Sequence, residues 1–457
     1  MNRHLIFKGM VTLLAANALF SCTQPNLEIG QGLEHMREES MSKTRAIAGI
    51  NADLLRDSIY QAFFVPYQDA QIYAAIHCRG DNAKEFDTIV PLTDGVDTLM
   101  YLIQYEEGWD VIAADKRGPL VIAMSDEGKF ISNDTLSVFS AYLEGQKLYL
   151  KSMRDVADYN PESDVYIFWS MLHPQNNPNA RLVGDEGHWE LYDTEIETIT
   201  RESGHMIQTK WGQNQPWDTF VPYNSKKTNE KCAVGCVAVA GAQMLYYLHH
   251  KLGYPQTMYT SGGCVGYNDG YSASFSNPTA DAWNNMALTK NDGLTARKEQ
   301  TSLLMAYVGT AVNMNYGESS SAETKDLKDL FDDWGISSTF GDYNSTVAWN
   351  SLQNDMPVIV KARTLTDKFP YNAGHAWIMD GWKTITTYYT YHYGWLPTPQ
   401  PNPNVGPVPI QPAPDPDDLF IYTETQTQIS STQTKMVLMN WGWDGGWDNI
   451  YYALDGA

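Results

Sequence analysis

A cysteine, a histidine and a carboxamide, far apart in the chain, have the residue types of thiol chemistry. Cys236 follows Gly235 and opens the run Val237-Ala238-Val239-Ala240-Gly241-Ala242-Gln243-Met244-Leu245, which has no polar face before Tyr246. The run predicts a helix packed on all sides, with Cys236 in its first turn. There, unpaired backbone N–H groups and the positive end of the helix dipole favour thiolate over thiol. A structural cysteine buried on a core helix gives the same local pattern, so the chemical reading depends on a base elsewhere in the chain.

Histidine suits that task, because a base that takes the thiol proton must later protonate a leaving amine near neutral pH. His375 stands between Gly374 and the apolar strand candidate Ala376-Trp377-Ile378-Met379, a placement that can present its ring at a cleft. A histidine bonded at a strand edge would look the same. His249 and His250 close the cysteine helix, about 20 Å from Cys236 by helical rise, too far to serve it. The imidazole also needs an orienting acceptor. Asn440 can provide one through its side-chain oxygen, with Trp441 beside it to keep water from that bond. Charge developing on a substrate oxygen needs donors, for which the Cys236 backbone N–H and the Gln213 side-chain amide are the candidates.

The elements that must position these residues change character along the chain. Leu54–Phe64 and Asp69–Ala75 have helical spacing on either side of Pro66. Leu99–Ile103, Gly108–Ala114 and Leu120–Met124 predict an antiparallel meander with turns at Glu106-Glu107-Gly108 and Asp115–Pro119, followed by a helix over Val138–Met153. Residues 154–204 hold several prolines and acidic residues, and predict a connecting segment that a protease can reach; Trp169 and Trp189 favour a packed loop instead. Helices are expected at Asp281–Leu288, Gln300–Val312, Lys325–Trp334 and Val347–Asn354. Strands are expected at Pro357–Lys361, Ala376–Gly381, Lys435–Asn440 and Asn449–Leu454. Nine prolines fall between Pro397 and Pro416. They predict an extended excursion, either a solvated loop or a binding surface.

Two sets of residues carry a family resemblance. Residues 109–130, reading WDVIAADKRGPLVIAMSDEGKF, resemble the propeptide hairpin of the streptopain (peptidase family C10) cysteine proteases. Further on, Trp211-Gly212-Gln213, Gly235 to Met244, Leu304 to Gly309, Met314 to Ala322, Gly374 to Gly381 and Asn440 to Gly445 resemble that family's catalytic motifs, in order. Val239 replaces a family threonine, and the 384–434 insertion separates His375 from Asn440 where relatives have a short hairpin. The resemblance implies an α+β molecule, with a papain-like two-lobed cysteine protease domain preceded by a small α+β propeptide domain. It implies Cys236 as nucleophile, His375 as base, Asn440 and Trp441 as its orienting and shielding residues, and Gln213 at the oxyanion. It also implies polypeptide substrates, the chain's own propeptide as intramolecular inhibitor, and no metal or organic cofactor. No cysteine–histidine cluster has metal-site spacing.

Composition and the N-terminus complete the sequence reading. The net charge of −23 argues against nucleic acid as a partner and against adhesion to anionic lipid by charge. Arg3, His4 and Lys8 precede the apolar run Met10–Phe20 and then Leu19-Phe20-Ser21-Cys22, an export signal too short to span a bilayer. Leu-Phe-Ser-Cys resembles the lipobox of bacterial lipoproteins, so lipidation of Cys22 and a membrane-anchored, exported protein are expected. An ordinary cleaved signal with an incidental cysteine is the alternative. Cys232 and Cys264 either pair or remain separate thiols. The expected order is signal 1–22, tether 23–52, inhibitory propeptide 53–153, connecting segment 154–204 and catalytic domain 205–457, with the proline-rich insertion at about 384–434. Two other classes share the motifs: a catalytically silent surface-binding protein on the same fold, and a cysteine amidase or acyl transferase.

Overall fold

A computed structural model describes residues 11–15, 60–77, 86–130, 138–154, 156, 159–172, 183–184, 187–224, 227, 229–253, 264–268, 271–275, 280–362, 374–397 and 425–454. Cys22, Cys78, the 23–52 tether and the proline-rich residues 398–424 lie outside the described residues. No helix of the described residues is long and apolar enough to cross a membrane.

The helix Cys236–Leu252 is the centre of one apolar core. Its small residues let neighbours come close: a Cβ on Gly241 would stand 2.5 Å from a methyl of Leu327 and 2.9 Å from one of Val308. Leu327 belongs to the helix Asp326–Asp333 and Val308 to the helix Thr295–Ala311. The cysteine helix ends at Gly253 in a left-handed cap, with His249, His250 and Lys251 in its last turn, where cations complement the dipole.

Against this helical layer stands a sheet whose central strand, His375–Pro397, starts at the candidate base. One neighbour is Val358–Ala362; the other is Thr425–Asn440, and both run antiparallel to it. Val11–Ala15, within the segment read as an export signal, pairs in parallel between Val358–Ala362 and Ser338–Asp342. Beyond Thr425–Asn440 come Tyr451–Ala453 and then the meander of Val121–Ser125, Trp109–Ala113, Thr98–Tyr105 and Phe86–Thr93. The N-terminal meander and the C-terminal strands thus form one continuous sheet, joined where Tyr451 faces Met124 and Tyr452 faces Ala123.

Two sequence expectations change here. The region at about 384–434 is not simply a loop between strands: its described ends, 384–397 and 425–434, extend the strands of His375 and Asn440 as a paired ribbon. The connecting segment is likewise more ordered than expected, because Gly187–Glu202 is a strand paired with the ribbon from Lys383–Glu202 to Pro397–Gly187. The alternation in Thr194-Glu195-Ile196-Glu197-Thr198-Ile199-Thr200 has the period of a strand.

The ribbon completes the N-terminal module's core. Ile385, Tyr389, Tyr391 and Tyr393 point to one face by strand alternation and are buried with Tyr73, Tyr101, Phe168 and Trp169. Tyr73 lies on the helix Tyr67–Ile76, and Phe168 and Trp169 on the helix Asp164–Met171. Burying an aromatic side chain is worth roughly 2–3 kcal/mol, so this seam contributes heavily to holding the N-terminal module in place. A cavity of about 140 Å³ remains elsewhere on the seam, lined by residues that include Trp109, Phe130, Phe139, Trp447 and Ile450.

Candidate active site

Gly235 makes the entry to the cysteine helix possible. It adopts φ +91°, and a Cβ there would lie 2.6 Å from both Sδ and Cε of Met314. Only glycine meets both demands without strain. Cys236 is half-buried, and its Sγ accepts the Ala376 N–H at 3.4 Å. The start of the cysteine helix therefore touches the start of the histidine strand, across 140 residues of sequence.

His375 donates through Nε2 to the Trp441 carbonyl at 2.9 Å. A carbonyl can only accept, so the proton sits on Nε2 and Nδ1 is left as the basic nitrogen. The imidazole stacks on Trp377 (centroids 5.9 Å apart) and Trp441 (6.2 Å), and meets the edge of Trp443 at 5.6 Å. Among the described residues no hydrogen bond joins Cys236 Sγ to the His375 ring. Burial lowers the His375 pKa to about 4, against a smaller upward effect of the Trp441 carbonyl. Burial also pushes the Cys236 thiol up, although the N–H groups of Ala376, Val237 and Cys236 itself favour the thiolate. Those donors do what the helix position predicted, but desolvation outweighs them. Both effects of burial favour a thiol beside a neutral imidazole.

Asn440 is close to this pair but bonds elsewhere. Its Nδ2 donates to the Thr209 carbonyl at 2.9 Å, and its Oδ1 accepts from Gln243 Nε2 at 3.0 Å and from the Gly442 N–H at 3.2 Å. The orienting acceptor on the imidazole is thus the backbone carbonyl of Trp441, the residue after Asn440. The insertion leaves this register intact, since Ile378 pairs with Asn440 in the ladder. Trp441 is buried, with Nε1–H donating to the Tyr452 hydroxyl at 3.1 Å and its backbone N–H donating to Asp448 Oδ1 at 3.1 Å.

Gln213 is anchored through its backbone, whose carbonyl accepts the Val234 N–H at 2.8 Å, two residues before Cys236. Its side-chain amide makes no hydrogen bond among the described residues. The neighbouring Trp211 is fully buried and bonded to the Ala287 carbonyl at 2.7 Å. Asp444 clamps this stretch to the turn after Asn440: its N–H donates to the Trp211 carbonyl, and its Oδ1 accepts from Trp217 Nε1 at 2.7 Å. Cys232 is a free buried thiol, and the Cys264 side chain lies outside the described residues.

Sequence reasoning missed a set of buried titratable groups on the other face of the histidine strand. Asp380 is fully buried, accepts from His205 Nδ1 at 3.0 Å and from the Ile207 N–H, and has its pKa raised by burial. Burial opposes charge on His205 as well, but the Asp380 hydrogen bond and charge raise its pKa overall. Burial lifts Asp448 to about 7. The only sequence signal was Asp380 ending an apolar strand.

Residues 211–398 match the model of the Peptidase C10 family; the match contains Gln213, Cys236 and His375 and stops short of Asn440. No curated protein matches the sequence. Solved structures similar to this chain include two from one organism. A fragment of prointerpain A from Prevotella intermedia is 18% identical, covers 80% of this chain and 91% of its own, and gives a TM-score of 0.44. The active wild-type interpain A cysteine protease of the same organism is 23% identical, covers 56% of this chain and 87% of its own, and gives 0.35.

Proposed function

We propose that this chain, whose residues 211–398 match the Peptidase C10 family, is an exported, lipid-anchored cysteine-type endopeptidase made as a zymogen. Cys236 Sγ attacks the peptide carbonyl and its proton passes to His375 Nδ1, the nitrogen left free by the Trp441 bond. The tetrahedral oxyanion is held by the Cys236 N–H and the Gln213 amide. The intermediate collapses with cleavage of the C–N bond, the imidazolium protonates the leaving amine, and water then hydrolyses the thioester. The observation that carries this reading is the meeting of Cys236 with the His375 strand, where Sγ accepts the Ala376 N–H while Trp441 fixes the imidazole tautomer.

Residues 53–153 act as the inhibitory propeptide. A ring-to-ring path supports this. His375 stacks on Trp441, Trp441 meets Tyr452 at 5.4 Å, and Tyr452 meets Tyr142 of the helix Val138–Met153 at 4.9 Å. Phe139 of the same helix stacks on Trp447, which holds φ +66°. The propeptide thus leans on the turn that supports the base, and the neutral Cys236–His375 pair is the latent state. Activation requires a cut in the connecting segment and departure of the propeptide.

The anchor is a lipid on Cys22 after removal of residues 1–21. Incorporation of labelled fatty acid, lost in Cys22→Ser, tests that part. For the chemistry, the purified chain is incubated with a denatured protein after removal of the propeptide. Cleavage that vanishes in Cys236→Ala supports the peptidase. Labelling of Cys236 by a peptide electrophile with no hydrolysis identifies a silent binding protein instead, and amide or acyl transfer without endoproteolysis identifies the transferase class.

A further inference from the structure

We propose that Gln243 and Thr209 are positioning residues for the His375 base, acting through Asn440 and the Trp441 carbonyl. The inference rests on Cys236 and His375 being the reacting pair. Three side chains close a buried ring: Thr209 Oγ1–H donates to Gln243 Oε1 at 2.9 Å, Gln243 Nε2 donates to Asn440 Oδ1 at 3.0 Å, and Asn440 Nδ2 donates back to the Thr209 carbonyl at 2.9 Å. Thr209 and Gln243 are fully buried and Asn440 is 2% exposed.

The placement of each partner gives the ring its purpose. Gln243 is seven residues after Cys236, two turns along the same helix face. Asn440 immediately precedes the residue whose carbonyl holds His375 Nε2–H. The helix that carries the thiol therefore also fixes the turn that sets the imidazole tautomer and direction. Gly442 N–H on Asn440 Oδ1 and Asp448 Oδ1 on the Trp441 N–H hold the same turn from its other atoms. A buried carboxamide left without partners would be costly, so Gln243 and Asn440 each depend on the other.

The readout is the rate of Cys236 alkylation by iodoacetamide against pH in the full chain, read by peptide mass at Cys236. The titratable groups to consider are Cys236 itself on the helix, Asp448 on the Trp441 amide, and Asp380 with its partner His205 on the other face of the strand. A correctly placed Trp441 carbonyl stabilises the imidazolium, and the imidazolium favours the thiolate. Loss of the ring lowers imidazolium stability, depopulates the reactive thiolate–imidazolium form and slows alkylation at every pH below the thiol's own midpoint.

Thr209→Val keeps the side-chain shape and removes only the donor; Gln243→Leu removes both bonds of the carboxamide. Both slow alkylation at neutral pH about three- to tenfold, the effect of one buried hydrogen bond, and leave the rate at strongly alkaline pH unchanged. Thr209→Ser restores the hydroxyl and with it the wild-type rate at neutral pH. Cys232, 3% exposed, remains unlabelled while the fold is intact and so reports unfolding within the same digest. If Gln243→Leu exposes Cys232, the isosteric Thr209→Val decides the matter. An unchanged neutral-pH rate in Thr209→Val, or an equal slowing in Thr209→Ser, overturns the proposal. If instead His375→Ala leaves the wild-type profile unchanged, the Cys236–His375 pairing itself fails.

Discussion

Lys383 forms an ion pair with Asp126, and the pair joins the strand of His375 to the turn that ends the N-terminal meander. The Lys383 side chain is 3% exposed and also reaches Glu202 at 2.9 Å, and its ammonium lies 4.1 Å from the centre of the Tyr451 ring. Tyr451 hydroxyl donates to the same Glu202. One buried cation thus ties together the N-terminal meander, the strand Gly187–Glu202 and the sheet that carries His375. Both carboxylates are more than a third exposed and keep much of their hydration, so the cluster's value is in geometry more than in energy.

This arrangement predicts that a single cut in the connecting segment does not free the propeptide. The shared sheet at Tyr451–Ala453 and the tyrosine face of the ribbon hold it after the chain is broken. The two fragments should co-elute in size-exclusion chromatography and remain poorly active. Lys383→Met should let them separate at lower denaturant concentration than the unsubstituted fragments. Immediate separation of the unsubstituted fragments after the cut would contradict the seam described here.

Gly235→Ala should be severe for a small change. The new methyl meets Met314 on a backbone at φ +91°, which costs on the order of 1–3 kcal/mol before any repacking. The thermal midpoint should fall, and Cys236 should lose activity beyond what the fall in stability explains, because the helix start must move. Met314→Ala in the same chain should recover part of the stability and little of the activity, since it relieves the contact and leaves the backbone strain.

Asp448 predicts a pH-dependent stability. Its folded pKa, about 7, lies above the ordinary carboxyl value because burial disfavours the anion. Its contribution is therefore fully present below the unfolded carboxyl pKa and is lost as pH rises through about 7. The full swing is at most about 4 kcal/mol. Asp448→Asn keeps an acceptor for the Trp441 N–H and removes the titration. The stability of wild type relative to Asp448→Asn should fall between pH 4 and pH 8 when thermal midpoints are compared, and a difference independent of pH would contradict it.

Much of the site was legible from residue types. Gly235-Cys236 before a run of small residues predicts a packed helix start, and Gly374-His375 before Ala376-Trp377-Ile378-Met379 predicts a strand start; both are found. The α+β class and the helix over Val138–Met153 also follow from periodicity. What failed was information that spacing does not carry. Asn440 has the right chemistry to face an imidazole, yet the buried amide of Gln243 and the Thr209 carbonyl claim its side chain, and the adjacent Trp441 carbonyl takes the role. The polar, β-branched strands of the ribbon and of Gly187–Glu202 lack an apolar run, so their pairing is visible only once the partner strands are set side by side. The protonation of the thiol reverses for a similar reason, because helix-end donors are local and burial is tertiary.

The central claim is a covalent intermediate on Cys236 formed with the help of His375. After removal of the propeptide, the chain is quenched in acid during turnover of a slowly hydrolysed peptide ester, and the digest is weighed. The account predicts an acyl group on the peptide containing Cys236, with formation slowed by orders of magnitude in His375→Ala. Continued hydrolysis by Cys236→Ala, with no acyl adduct at Cys236 in the unsubstituted chain, would contradict it.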